Sequence, residues 1–461
     1  MPRPRGPALF ANAILGGAFA FSVLALIYLI AKSSGRVTDP GEAGINRFHI
    51  AAVLGILFFG VTLFLREAWK INFALIVLST SLTIYLAEII VFVTFPAGAN
   101  MAAPAWPAGV PFDSRTRYQV VKDMQARGID TVPSVAPNLF LATDGLNADG
   151  KKLYPLGGIA NKTTVLCNES GEYVIYQSDE HGFNNPRGLH KQRNIDVALI
   201  GDSFVQGHCV NPGEDVAGQI RSGGLRAINL GMRGSGPLTE LAILTEYALP
   251  LKPRIVLWFY FENDQRNLAK EQRSVILRRY LDREFSQRLR DRQEEVDRVL
   301  VRHVHQRETE IANSGGEVAE ENGVFTGWKT VKKMFKLYHL RARLAVDRQS
   351  PYGGAPSPLF REILLNAHMR IREAGSRMYF VFLPDWSRYA KTDRQEFAAP
   401  DEVLAVVREL NIATIDFGQV LGSHPDPLSL FPFRQDGHYT SEGFRLLEEQ
   451  IVRRLKTDGD F

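Results

Sequence analysis

Three long apolar stretches crowd the start of the chain, at 8–31, 49–66 and 72–96. The first and last are close to or above the ~20 residues that a membrane helix requires. The first runs too long for a signal peptide and has no small-residue cleavage site behind it. The pattern predicts a transmembrane region over 1–97 with three helices. Residues 98–118, which contain most of "PAGANMAAPAWPAGVPF", are rich in Pro and Ala, lack periodicity and read as a linker.

Beyond 118 the pattern is that of a folded domain, 119–461. A short helical pattern covers Arg117 to Arg127, and Gly/Asn-rich turns then surround β-like pieces such as "EYVIYQSD". After 195, apolar strands alternate with helical stretches. The strand candidates are 196–200, 226–230, 254–260, 377–383 and 412–416. That alternation predicts βαβ units and a parallel sheet. The segment 265–350 breaks the rhythm: Leu277, Leu281, Phe285, Leu289, Val296 and Leu300 recur near the helical period amid Arg and Glu. It reads as an amphipathic helix or helix pair inserted after the third strand. Its charges are most simply a solvated face, and a lid or partner-docking surface is the sharper alternative.

Charge adds little about partners and something about topology. A net +4 over 461 residues gives no reason to expect a nucleic-acid partner. Arg3 and Arg5 precede the first span, Arg66 and Lys70 lie between the second and third, and Lys32, Arg36 and Arg47 occupy the first loop. The positive-inside rule then narrowly favours a cytoplasmic N-terminus, which with three spans places everything after Pro96 outside the cytoplasm. Glu88 is the one ionisable group deep in a span; such groups face a bundle interior or a partner, or are simply protonated.

The chemistry starts at "LIGDSFVQGH", 199–208, where a buried-type strand ends in Gly201-Asp202-Ser203. Strand ends in α/β sheets present reactive groups, while Ser is equally a favoured helix cap. A serine nucleophile needs a histidine to take its proton and a carboxylate to orient that histidine. Of ten histidines, His438 in "FRQDGHYTSEGF" has the most suggestive setting. Asp436, two residues earlier in an extended turn, would project to the same side. Asp436 and His438 read equally well as a structural turn. His208 is a competing base but sits too close to Ser203 in sequence to approach it well. "NLGMRGSGPL" (229–238) follows the second strand with glycines that permit close backbone approach, and "FYFENDQ" (259–265) ends the third with Asn263. Backbone amides and a side-chain amide there could stabilise an oxyanion.

These four pieces resemble the blocks of the SGNH (GDSL-type) hydrolase superfamily. "GDSF" matches the first block and implies Ser203 as nucleophile. "NLGMRGSG" looks like the second, with Gly234 as oxyanion amide and Gly231 or Gly236 as register alternatives. "FEND" resembles the third, with Asn263 as donor, and "DGH" is similar to the last, giving Asp436 and His438. The resemblance covers roughly 195–456 and implies a three-layer α/β domain with a parallel sheet. Two departures stand out: Phe261 occupies the place of a usual Gly, and one residue instead of two separates Asp from His. The latter spacing is similar to that of the alginate O-acetyltransferase-like group, which implies acyl transfer on envelope polysaccharide.

The resulting expectation is an extracytoplasmic serine acyltransferase or esterase anchored in the inner or plasma membrane. Its oxyanion hole comprises the amides of Ser203 and Gly234 and the side chain of Asn263, and Asp202 is structural. It uses no cofactor or metal and acts on a polysaccharide or other acyl ester. A transferase would need a multi-span donor partner, with Glu88 as a contact. The alternatives are a lipolytic or small-ester hydrolase without a glycan partner and a non-catalytic envelope scaffold. Cys167 and Cys209 are the only cysteines. Outside the cytoplasm they are disulfide-permissive, and a bridge closing about 40 residues would contribute about 3–4 kcal/mol. It would tie 119–190 to the active-site edge; two buried free thiols are the alternative.

Overall fold

A computed structural model of the chain describes residues 6–34, 47–94, 111–192, 194–313, 356–390 and 400–461, with short pieces at 318–319, 323–324, 334, 337–338 and 340. Most of the expected linker and the second half of the expected insertion lie outside the described residues. The chain forms two compact units. One joins Met1–Pro96 to Thr330–Leu344, and the other joins Ala97–Lys329 to Ala345–Phe461.

The first unit contains three apolar helices, α1 (Gly6–Ser34), α2 (Arg47–Thr62) and α3 (Glu67–Thr94). Two of them are long and apolar enough to cross a membrane, over Gly6–Ala31 and Glu67–Val91. The sequence suggested three full-length spans, but α2 has 16 residues. At about 1.5 Å per residue it measures about 24 Å, short of a hydrocarbon core about 30 Å thick. The end of the apolar stretch 49–66 is a tight turn, in which Phe64 and Leu65 donate back to Val61 and Thr62. Among the described residues, every exposed large apolar side chain except Ile129, Leu139, Val275 and Tyr338 lies between Leu9 and Ile90. That concentration is what a surface meant for lipid would show. Glu88 is fully buried, and its Oε2 accepts the backbone N–H of Leu340 at 2.6 Å.

The second unit is built on five parallel strands: β1 (Val197–Ile200), β2 (Ala227–Asn229), β3 (Ile255–Phe261), β4 (Arg377–Leu383) and β5 (Ala413–Asp416). They stand in the order β2-β1-β3-β4-β5, with every pairing parallel. The five expected strands are all present within a residue or so of their expected limits. They were legible because strands covered on both faces must be apolar throughout.

Successive residues along the strands feed two separate cores. Ala198, Ile200, Val256, Trp258, Tyr260, Phe380 and Phe382 face one side and pack against the helices Pro237–Ile243, Pro358–Glu373 and Pro400–Glu409. Val197, Leu199, Leu257, Phe259, Tyr379 and Val381 face the other, covered by Val216–Ser222, Phe417–Ser423 and Ser441–Thr457. The result is a three-layer α/β sandwich.

The described part of the segment after β3 is neither the one amphipathic helix nor the helix pair of the expectation: two short helices, Asp264–Glu271 and Val275–Arg279, precede a longer one. Leu277, Leu289, Val296 and Leu300 are buried as the pattern requires, but the first long helix is Gln293–Asn313. Upstream of it the buried carboxylate of Glu246 accepts from Gln287 N, Leu289 N, Ser286 Oγ and Tyr280 OH. Backbone donors committed to a carboxylate cannot propagate a helix, so beyond the short helix Val275–Arg279 the near-helical spacing is met by turns.

The flank before β1 is part of this unit. Thr131–Pro133 pairs in parallel with Thr163–Cys167, which pairs antiparallel with Val174–Gln177. Asn185 continues it onto the sheet: its Nδ2 donates to Asn229 O and its Oδ1 accepts from Asn229 N, at 2.7 and 2.8 Å. An amide thus satisfies the edge of β2 as a neighbouring strand would.

Candidate active site

The adjacent strands β1 and β3 place the site. In chain order β2 lies to one side of β1 and β3 to the other, so connections leave the β1/β3 boundary in opposite directions. The crevice at the carboxyl ends of such strands is where ligands bind in open α/β sheets. Ser203 follows β1 and Asn263 follows β3.

Asp202, not Ser203, is the cap of the short helix Ser203–Gln206: its Oδ1 accepts from Phe204 N at 3.0 Å. The cap reading of Ser203 therefore fails, and its hydroxyl is available. Gly201 keeps this turn tight, because a Cβ there would press on Val205 and Phe259. Ser203 Oγ lies 2.8 Å from His438 Nε2. On the other side of that ring, Nδ1 is 2.9 Å from Glu169 Oε1, and the backbone N–H of His438 donates to Glu169 Oε2 at 2.9 Å. A carboxylate only accepts, so the ring proton sits on Nδ1 and the lone pair of Nε2 faces the serine.

Glu169 thus stands where Asp436 was expected. The chain bends through 435–437 instead of running extended, and Asp436 is exposed to solvent. The alternation that would have put both side chains on one face does not apply. Glu169 comes from the turn between the flank strands Thr163–Cys167 and Val174–Gln177. Nothing in its local sequence marks it; the only signal was the cysteine pair, which set that turn against the loop that follows Ser203. Cys167 and Cys209 are disulfide-bonded with Cα atoms 5.5 Å apart.

His208 is not the partner of Ser203. Its Nδ1 lies 3.7 Å from Glu169 Oε1, and its ring lies 4.4 Å from that of His438. Burial pushes it down to about 3, with the nearby His438 adding to the effect; it is a neutral imidazole at working pH. His438 behaves oppositely. Burial disfavours its charge, but the charge and hydrogen bond of Glu169 outweigh that and raise it above the ordinary histidine value. Burial also disfavours the Glu169 anion, yet its two histidine neighbours hold it well below the usual carboxylate range. Burial pushes Asp202 up to about 6. Ligand-type atoms of Glu169, His208 and His438 come within 4.8 Å of one another, a spacing a metal could use; here Glu169 and His438 are hydrogen-bonded and His208 lies 3.7 Å from Glu169.

The loop 229–238 resolves its own register. Gly231 N donates to Asn229 Oδ1 at 2.9 Å, and Gly236 N donates to Glu271 Oε1 at 2.7 Å. Neither amide is free for an oxyanion. Gly234 N has no acceptor among the described residues, and neither does Ser203 N, which lies in the first turn of its helix, where amides lack intrahelical partners. Gly234 is left-handed at φ +71°. The Asn138 side chain packs where a Cβ on Gly234 would lie, so the flank also reaches this loop. Asn263 Oδ1 accepts from Asn267 Nδ2 at 2.8 Å, which leaves the Asn263 Nδ2 donor for the crevice. Asn267, invisible to the motif, is what orients it.

No protein-family model matches the chain, and no curated protein matches it. Among solved structures it is similar to a putative lipolytic protein of the G-D-S-L family from Desulfitobacterium hafniense (15% identity, 56% of this chain and 99% of that one, TM-score 0.29). It is similar also to a lipase/acylhydrolase from Enterococcus faecalis (17% identity, 58% and 97%, TM-score 0.30). A third is a two-domain esterase active on acetylated mannans (10% identity, 58% and 50%, TM-score 0.31). Likenesses of this degree leave the chemistry to rest on the geometry.

Proposed function

We propose that the chain is a membrane-anchored serine ester hydrolase or O-acyltransferase of the SGNH type. The observation that carries this reading is the unbroken relay Ser203 Oγ–His438 Nε2, His438 Nδ1–Glu169, at 2.8 and 2.9 Å, at the strand crossover. His438 takes the Ser203 proton as the hydroxyl attacks an ester carbonyl, and Glu169 stabilises the imidazolium that forms. The amides of Ser203 and Gly234 and the Asn263 side chain receive the oxyanion. His438 then returns the proton to the leaving alcohol, and the acyl-serine passes its acyl group to water or to a sugar hydroxyl.

The compartment and acceptor have three supports. The apolar helices supply an anchor, the disulfide suits an oxidising compartment, and the charges favour a cytoplasmic N-terminus. An envelope polysaccharide is the substrate class that fits an enzyme so placed. A transferase there needs an acyl donor carried across the membrane by a multi-span partner, a task two or three helices do not perform.

Intact-mass measurement of the purified protein with an acetyl ester, with and without an acetylated oligosaccharide, tests the reading. Wild type should gain one acyl group, and Ser203→Ala should gain none and lose turnover while keeping its melting temperature. Asn263→Ala should slow turnover about 10²–10³-fold. Substantial activity in Ser203→Ala would remove the nucleophile assignment. Turnover of the simple ester alone would favour a small-ester hydrolase.

A further inference from the structure

Glu169 stands two residues after Cys167, and His208 immediately precedes Cys209. The disulfide therefore joins the two loops whose side chains meet around the catalytic histidine. Neither loop is held at that point by a regular ladder. The strand pairing is bulged between Val165 and Cys167, and the turn beyond is closed by Asn168 Oδ1 accepting Gly171 N. On the other side, Gly207 and Cys209 are both left-handed, at φ +79° and +64°, the second a conformation unfavourable for a residue with a side chain. The donor to the Glu169 carboxylate among the described residues is His438, through ring and backbone, and His208 Nδ1 approaches it to 3.7 Å. Both half-cystines are buried, in a small cluster with Leu166, Val174 and Tyr176 set apart from the two main cores.

We propose that the Cys167–Cys209 disulfide is a positioning element of the relay, holding Glu169 at Nδ1 of His438, so that the dithiol form has a serine–histidine pair without an oriented acid. This rests on the catalytic reading of Ser203, His438 and Glu169. The acid of this relay is not carried by the segment that carries its histidine. Here it comes from a flank whose nearest covalent tie to the nucleophile loop is this bond. Displacing a catalytic group by about 1 Å costs on the order of 10²-fold in rate. The loss cannot exceed that of removing the acid altogether.

A water-soluble phosphine provides the test. Its two electrons and two protons from solvent convert the S–S bond to two thiols, and the phosphine leaves as its oxide with oxygen from water. The full chain in detergent, reduced until two thiols per molecule are counted, is assayed for kcat, KM and the acidic limb of the pH profile. The number of folded sites is fixed by titration with a serine-reactive phosphonate. Reduction should lower kcat per titrated site about 10- to 100-fold, leave KM within about twofold, and move the acidic limb to lower pH. Glu169→Gln should be slow in both redox states, with no further loss on reduction. Cys167→Ala/Cys209→Ala should match the reduced wild type; if it does not fold, the phosphine experiment on folded wild type decides alone. Unchanged kcat and pH limb in the reduced protein would overturn the proposal, as would an equal further loss in reduced Glu169→Gln. If oxidised Glu169→Gln has wild-type activity, it is the triad reading that fails, a result read before any reductant is added.

Discussion

Glu169 reaches His438 from 269 positions away in the chain, and that distance is why the sequence pointed to Asp436 instead. Side-chain chemistry and spacing pointed to Ser203, His438 and Asn263, because each sits beside an element whose period is readable, and the fold brings the first two within 2.8 Å of each other. They did not suffice for the acid, whose place depends on how a separate flank folds back. The two carboxylates can be separated by titration. His438 must be neutral to act as base, so kcat/KM rises with pH through its pKa, which Glu169 raises above the ordinary value of about 6.5. Replacing Glu169 by Gln removes the charge and sets against Nδ1 a neutral amide, whose oxygen accepts more weakly and whose NH2 can impose the wrong tautomer. The acidic limb should then move to lower pH while the plateau falls about 10³–10⁴-fold. Asp436→Asn should leave limb and plateau as in wild type. The reverse pattern in a pH–rate series would restore Asp436 as the orienting acid.

At the scale of elements, the turn after β2 shows how packing narrows a register that a motif leaves open. Three glycines were available as the oxyanion amide, and composition could not choose among them. The choice comes from where the other two amides go, to Asn229 and to Glu271, the latter also accepting from Leu238 N and Thr239 Oγ1 at the start of Pro237–Ile243. Gly231 has a different task. A Cβ there would run into the backbone nitrogen of Gln206, so the loop and the nucleophile helix touch backbone to backbone. Gly231→Ala should therefore destabilise the unit by about 1–3 kcal/mol and slow turnover, since the atom in the way cannot rotate aside. Gly422, inside the helix Phe417–Ser423, has open space where its Cβ would go. Gly422→Ala should be neutral or stabilising by up to about 1 kcal/mol. Thermal unfolding of the two variants in the same detergent compares them; equal melting temperatures would refute the close-contact argument.

For the whole molecule, the deciding element is α2. The apolar pattern counted three stretches correctly, but stretch length is not helix length: the last residues of 49–66 form the turn into α3. If α2 crosses, by thinning the bilayer around it at a modest cost per ångström of mismatch, α3 returns outward and the catalytic unit lies outside the cytoplasm. If α2 lies along the outer interface, α1 and α3 are the only crossings and the catalytic unit is cytoplasmic. The loop between α1 and α2 is outside in both arrangements, so it cannot discriminate; the C-terminus and the α2–α3 turn can. The disulfide argues for the first arrangement, because a reducing cytoplasm would keep Cys167 and Cys209 as thiols. A reporter active only outside the cytoplasm, fused after Phe461, should therefore give signal, and a cysteine introduced at Arg66 should resist impermeant labelling in intact cells. A silent C-terminal reporter with a labelled Arg66→Cys would establish two crossings, and an envelope polysaccharide would then lie on the wrong side of the membrane from Ser203.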